Sequence, residues 1–393
     1  FLECYVGRKR ALYERAFESL EMTEVSSRDA ELKAFVKAEK LDLSSKPDPT
    51  PRIIQPRDPR YNASVGVYIK ACEKMLYKAI DRMFGQTTVM KGLNADQRGV
   101  AIHQAWCGFR DPVAIGIDAS RFDQHVSVEM LRFEHGIYNC IFHDPELRRL
   151  LRMQLVNRGR ALCTDGVVKY TVNGCRASGD MNTSLGNVVI MCTMMHAYLA
   201  TKHFRSALIN DGDDCVLFCE RRDALGFHDV GDWFARLGFV MTVEPLVDEL
   251  ERVEFCQSRP VLTNAGTYRM VRDPRVCLTK DVLVVRPVNN IKDYQFYRWS
   301  LSECGKALAG DMPVYRRFYQ MLGRGTTKRD AVNARGEKKV ELASGMQFLA
   351  MGMGTKDEVP TAECRVSFAK AFDVMPDFQV ALEGEYEAYT PMY

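Results

Sequence analysis

Asn210-Asp211-Gly212-Asp213-Asp214 stands between two apolar runs, Ala207-Leu208-Ile209 and Cys215-Val216-Leu217-Phe218. The pattern predicts a tight hairpin with buried flanks and three carboxylates within four residues of its turn. Two unit charges about 4 Å apart repel by about 1 kcal/mol in water and by about 4 kcal/mol at an effective dielectric near 20. A divalent cation removes that cost. The alternative is a solvated Asp-Gly turn, which is a common structure.

A second acidic strand end sharpens the choice. Residues 113–117 form a short apolar run after Asp111-Pro112, as a buried strand does; Asp118 follows at once and Asp123 comes five residues later. If this strand lies beside the hairpin in one sheet, Asp118 and Asp213 converge across the strand ends. Carboxylates so placed hold two Mg²⁺ ions about 3.5–4 Å apart, one activating an attacking 3′-hydroxyl and the other steadying a leaving pyrophosphate. Mn²⁺ has the same taste for oxygen ligands and is expected to substitute. The plain alternative for Asp118 is a helix N-cap after a strand.

Between the acidic sites lies Ala177-Ser178-Gly179-Asp180-Met181-Asn182-Thr183-Ser184-Leu185-Gly186-Asn187. Ser178-Gly179 offers a flexible turn with a hydroxyl, and a helix is expected to follow. Thr183 and Asn187, four apart, share a face of that helix. Asn187 then reaches Asp123 and, through it, a nucleotide 2′-hydroxyl, the group that separates RNA from DNA. A polar capping segment explains the same residues without a ligand.

Basic residues precede the first strand: Lys37, Lys40, Lys46, Arg52, Arg57 and Arg60, in a stretch whose five prolines between residues 44 and 59 forbid a helix. An extended segment of this kind lines a channel and clamps a triphosphate, although interspersed Glu39, Asp42, Asp48 and Asp58 also suit an ordinary surface. A later run, 316–339, carries eight Lys or Arg against Asp330 and Glu337 and follows Tyr315; RNA backbone contact and a solvated helix are equally good readings.

The rest bounds the class. A net charge of +3 permits a nucleic-acid partner without demanding one. The 13 cysteines contain no CxxC pair, which argues against a zinc site or a disulfide framework. The most apolar stretch, 187–200, is too short to span a bilayer. Residues 1–36 read as helical on a stripe of Leu12, Ala16, Phe17 and Leu20, 67–84 as an amphipathic helix, 127–140 and 182–199 as helices, and 167–172 as a strand. Short strands and then largely helical patterns follow Phe255. The expected class is α+β.

The order Asp118-x4-Asp123, Ser178-Gly179-x3-Thr183-x3-Asn187, Gly212-Asp213-Asp214 resembles motifs A, B and C of the RNA-dependent RNA polymerases of positive-strand RNA viruses. Phe255-Cys256-Gln257-Ser258 resembles their motif E turn, and Lys37-Ala38-Glu39 with Pro51-Arg52-Ile53-Ile54 their motif F. Gln55-Pro56-Arg57-Asp58-Pro59-Arg60-Tyr61-Asn62 is most similar to replicases of the tombusvirus family, including its carmovirus-like members. The resemblance implies a right hand: fingers with an N-terminal extension over 1–110, palm over 111–138 and 176–258 with an antiparallel sheet packed on helices, a fingers insertion over 139–175, and a mostly helical thumb and C-terminal region over 259–393. It implies Asp118, Asp213 and Asp214 as metal ligands. Asp123, Ser178, Thr183 and Asn187 would handle the ribose or the template, and Lys37, Lys46 and Arg52 would face the triphosphate.

The implied activity is RNA-templated RNA synthesis from NTPs, with template and nascent RNA as partners. A viral auxiliary replicase protein and host factors are expected to join them in membrane-associated replication complexes of the host cytoplasm. The membrane tether is expected in a segment outside this chain. One departure stands out: no lysine occurs between Lys202 and Lys280, where motif D often supplies the acid that protonates pyrophosphate. Another group or water would take that role. A reverse transcriptase, an RNA-binding scaffold with a dead palm and a metal-dependent nuclease are the competing classes.

Overall fold

The apolar runs around the acidic turn pair as read. In the computed structural model, which describes residues 1–40, 48–284, 288, 290–326, 346, 350 and 352–391, ten strands form three sheets. They are β1 (Leu32–Val36), β2 (Ile53–Ile54), β3 (Pro112–Ser120), β4 (Val156–Cys163), β5 (Gly166–Asn173), β6 (Ser206–Asn210), β7 (Asp214–Glu220), β8 (Val240–Val243), β9 (Ser258–Leu262) and β10 (Tyr268–Arg272).

The central sheet has the order β6-β7-β3-β8 and is antiparallel throughout. Both faces are covered, so β7 reads as a nearly continuous apolar run instead of an alternating one. On one face Ile115, Ile117, Cys215 and Leu217 pack against Ile190, Met191, Met194 and Met195 of the Thr183–Leu199 helix. On the other, Ala114, Val216, Phe218 and Ile209 meet Ala101, Ile102 and Ala105 of the Ala95–Cys107 helix, with Phe255 and Met270. The Thr183–Leu199 helix is apolar all round because core surrounds it. Among the described residues no helix is long and apolar enough to cross a membrane, and no disulfide joins the cysteines.

A second sheet, β2-β1-β4-β5, combines parallel β1–β4 with antiparallel neighbours, and β9–β10 form a separate hairpin. The C-terminal part is helical, with Ile291–Ala309, Tyr315–Gly323, Ala362–Phe372 and Pro376–Ala388 around a core that includes Tyr315, Phe318, Phe368 and Phe372.

Two expectations need correction, and one strand carries no mark in the sequence. Residues 1–36 are not one helix: Gly7–Met22 is helical, but residues 32–36 form β1, whose Leu32 and Ala34 are buried. The helix expected from residue 67 begins at Pro59, capped by the Asp58 side chain, because proline at the first turn loses no hydrogen bond. The partner of the 167–172 strand is β4, unmarked in the sequence because Arg158, Gly159 and Arg160 interrupt its apolar pattern. Most of the later basic run, residues 327–339, lies outside the described residues.

Candidate active site

The acidic turn is built by its neighbours. Asn210, fully buried, donates through Nδ2 to the Gly212 carbonyl at 2.7 Å and accepts from the Gly212 N–H at 3.1 Å. Asp211 N–H donates to the Asp214 carbonyl at 2.9 Å. Gly212 takes φ +96°, open to glycine and costly for other residues. A Cβ there would lie 3.8 Å from Cβ of Asn187, so the turn sits against the start of the Thr183–Leu199 helix.

The expected convergence of strand ends is present, with one difference in detail. Asp118 is directly opposite Asp214 in the β3–β7 register, and Asp213 occupies the turn just before that pair. Burial pushes the Asp214 carboxyl up to about 6, and repulsion from Asp118 and Asp213 adds to it against a lowering hydrogen bond from Cys256. Asp213 also titrates above the usual carboxylate range, first through loss of hydration among surrounding protein atoms and then through Asp118 and Asp211, with Lys91 opposing.

Asp211 is not part of this concentration. Lys91 and Arg98 both pair with it, Arg98 Nη2 at 2.5 Å, and its side chain is 8% exposed. Among the described residues, two carboxylates of the turn, Asp213 and Asp214, are thus left without an ion pair. Nothing in the spacing of Lys91 and Arg98 marked them; the 88–90 segment brings them in by hydrogen-bonding alongside Asn210.

Asp214 has one more partner. The Cys256 N–H donates to its Oδ2 at 2.8 Å. Cys256 and Gln257 both hold positive φ, 50° and 57°, in a turn closed by Phe255 and Ser258. Non-glycine residues in that region cost about 1–2 kcal/mol each, a cost usually met only where the geometry is used.

Asp123 and Asn187 meet as expected: Asn187 Nδ2 donates to Asp123 Oδ1 at 2.8 Å. Burial raises the Asp123 carboxyl, while the Asn187 hydrogen bond and the Arg176 charge pull it back. Thr183 shares the helix face, but its hydroxyl donates to the Ala177 carbonyl at 2.7 Å and so closes the preceding loop. Ser178 is exposed and its Oγ accepts from the Gln55 N–H at 3.0 Å.

The basic segment divides. Lys37 (3.4 Å) and Arg52 both pair with Glu39, and both stay accessible. Lys46 lies outside the described residues. Arg57 and Arg60 do not line a channel: Arg57 is buried on Asp180, Asn157 and the Ala30 carbonyl, and Arg60 binds Ser19, Thr23, Glu24 and Asp29. Lys40 donates to the Lys280 carbonyl at 2.5 Å. These interactions tie the extended segment to its neighbours, as isolated buried charges require.

Among the described residues no three His, Cys, Asp or Glu side chains close into a ready-made metal cage. Mg²⁺ usually takes one or two carboxylates and completes its shell with waters and substrate phosphates. Two acidic groups held face to face without a cationic side chain between them fit such an ion.

The fold and site define a mixed α/β protein whose central sheet is antiparallel and carries Asp118, Asp213 and Asp214 together at one end. The chain belongs to the viral RNA-dependent RNA polymerase family, whose model matches residues 1–392. It is similar to proteins named RNA-directed RNA polymerase: 44% identical over 391 residues to that of Tobacco necrosis virus strain A, covering 99% of this chain and 53% of the relative. Those of Carnation mottle virus, 44% over 396 residues with 99% and 50% covered, and Turnip crinkle virus, 44% over 385 residues with 98% and 49% covered, are alike. The chain spans about half the length of these relatives.

Proposed function

We propose that this chain is the catalytic part of an RNA-directed RNA polymerase that extends an RNA 3′-hydroxyl with NTPs on an RNA template and replicates a viral positive-strand genome. The observation that carries the reading is the opposition of Asp118 and Asp214 with Asp213 beside them, next to an Asp123–Asn187 hydrogen bond suited to a ribose. Membership of the polymerase family supports it. The central sheet with its covering helices corresponds to a palm (111–138 and 176–258). Residues 1–110 and 139–175 correspond to fingers, and 259–393 to thumb and C-terminal region.

Asp118, Asp213 and Asp214 would hold two Mg²⁺, with Mn²⁺ able to substitute. Bound there, the ions would supply activation of the attacking hydroxyl and charge neutralisation at the leaving pyrophosphate. The chain's own residues do the rest. Cys256 N–H fixes one oxygen of Asp214 and so aims the other. Asp123 and Asn187 receive the 2′-hydroxyl of the incoming nucleotide. Ser178 and Thr183 shape the loop beneath it. Lys37 and Arg52 exchange Glu39 for the more highly charged triphosphate, and Lys46 joins them from the same basic segment.

Partners of this reading are RNA, NTPs, a viral auxiliary replicase protein and host factors, in membrane-associated complexes of the host cytoplasm. The test is incorporation of labelled NTPs on an RNA template with and without Mg²⁺. Mg²⁺-dependent lengthening supports the reading. Degradation of the RNA would make the protein a nuclease, and equal use of dNTPs would make it a reverse transcriptase.

A further inference from the structure

Arg176 precedes the Ser178-Gly179 turn and touches both members of the ribose pair. Its backbone N–H donates to the Asp123 carbonyl at 2.7 Å. Its Nε donates to Oδ1 of Asn187 at 3.2 Å. Its Nη2 pairs with Glu134, and both side chains of that pair are 0% exposed. Glu134 Oε1 also accepts from the Tyr138 hydroxyl at 2.8 Å and from Asn182 Nδ2 at 2.7 Å. Gly186, next to Asn187 on its helix, leaves the room: a Cβ there would run into both Glu134 and Arg176.

Stability alone accounts poorly for this arrangement. Burying an ion pair costs desolvation of the same order as the attraction gained, so an apolar pair of similar volume is often as stable. Orientation accounts for it well. An asparagine amide has a donor end and an acceptor end of nearly equal shape, and it settles by its hydrogen bonds. A guanidinium only donates. With Arg176 against Oδ1, Nδ2 must face Asp123, where the opposite orientation would set a carbonyl oxygen against a carboxylate. Asp123 Oδ2 has no hydrogen bond among the described residues and is left to accept.

We propose that Arg176, held by Glu134, is the positioning residue of the ribose sensor: it fixes the Asn187 amide so that Asn187 and Asp123 present a set donor and a set acceptor to a 2′-hydroxyl. The inference rests on the ribonucleotide reading above and extends it to residues that never touch the nucleotide. Without Arg176 the amide loses the donor that holds its Oδ1 and is oriented by Asp123 alone, so the pair accepts a 2′-deoxynucleotide more readily, while the carboxylates at the strand ends are unaffected.

Two variants test this. Arg176→Met with Glu134→Gln removes both buried charges and keeps an acceptor for Tyr138 and Asn182. Arg176→Lys keeps the charge pair and removes the Nε donor. The measurement is kcat/KM for ATP and for 2′-deoxy-ATP on an RNA template in Mg²⁺, with melting curves for each protein. We expect the ATP preference to fall at least about tenfold in both variants with kcat on ATP within about threefold of the parent, since discrimination built on a hydrogen bond is lost with its geometry. An unchanged preference in either folded variant, or an equal fall for both nucleotides, overturns the inference while leaving the polymerase reading intact. If the parent protein itself shows no preference for ATP, the ribonucleotide reading fails and the inference with it.

Discussion

Asp118 and Asp214 are directly opposed residues of the antiparallel β3–β7 pair, and no cationic side chain pairs with either among the described residues. Like charges in this position destabilise a sheet. Removing one should therefore help the fold and end the chemistry. We expect Asp118→Asn to raise the stability of metal-free protein by about 1 kcal/mol and to abolish NTP incorporation. Urea unfolding in EDTA and the incorporation assay measure the two effects. A variant that is less stable and still active would remove the proposed role of the pair.

The same opposition makes cation binding visible without catalysis. Mg²⁺ binding to the folded protein alone raises its stability by about 2.7 kcal/mol at a hundredfold excess over Kd. We expect millimolar Mg²⁺ to raise the melting temperature of the parent and to leave Asp118→Asn/Asp213→Asn unmoved. An equal shift in both would mean that the cation binds elsewhere.

Protonation should compete with the cation. Burial, with repulsion from Asp118 and Asp213, raises Asp214 to about 6. Between the ordinary carboxylate value and about 6 the folded state binds more protons than the unfolded one, so this group's contribution to stability falls as pH rises across that interval. It amounts to about 3 kcal/mol in metal-free protein. Asp214→Asn should lose this dependence, seen as a flatter difference in unfolding free energy between pH 4 and 7. In parallel, the Mg²⁺-dependent melting shift of the parent should shrink below pH 6. A parent and variant with the same pH profile would contradict the assignment.

How much of this was legible in the sequence follows from where each signal lay. The acidic hairpin and β3 could be read because apolar runs flank Asp213-Asp214 on both sides and lead directly into Asp118. The Asp123–Asn187 contact followed from helical spacing together with the order of the motifs. Lys91, Arg98, Glu134 and Arg176 were not foreseen, because what selects them is tertiary contact across 42 to 120 residues of chain. Arg57 was misread for the same reason: an arginine in a basic run looks alike in sequence whether a channel or a buried aspartate receives it. Strand β1 was lost to a helical stripe that ends at Met22.

The contrast between Arg57 and Arg52 gives the sharpest division between fold and ligand. Arg57 and Asp180 are each 1% exposed in their side chains, and Arg57 also holds Asn157 and the Ala30 carbonyl. It thereby ties the extended segment to the Ser178-Gly179 loop, where Pro56 and Gly179 already bridge. Removing one partner of a buried pair strands the other, at about 3–5 kcal/mol. Arg52 is 67% exposed and among the described residues pairs with Glu39 alone, so its loss costs the fold at most about 1 kcal/mol. We expect Arg57→Ala to lower stability severely, with activity lost in proportion to unfolding. Arg52→Ala should melt with the parent and raise KM for NTPs about three- to tenfold, the weight of one charge-assisted phosphate contact. Melting curves and steady-state kinetics on both variants decide it. An Arg52→Ala protein with unchanged KM would remove this arginine from the triphosphate site.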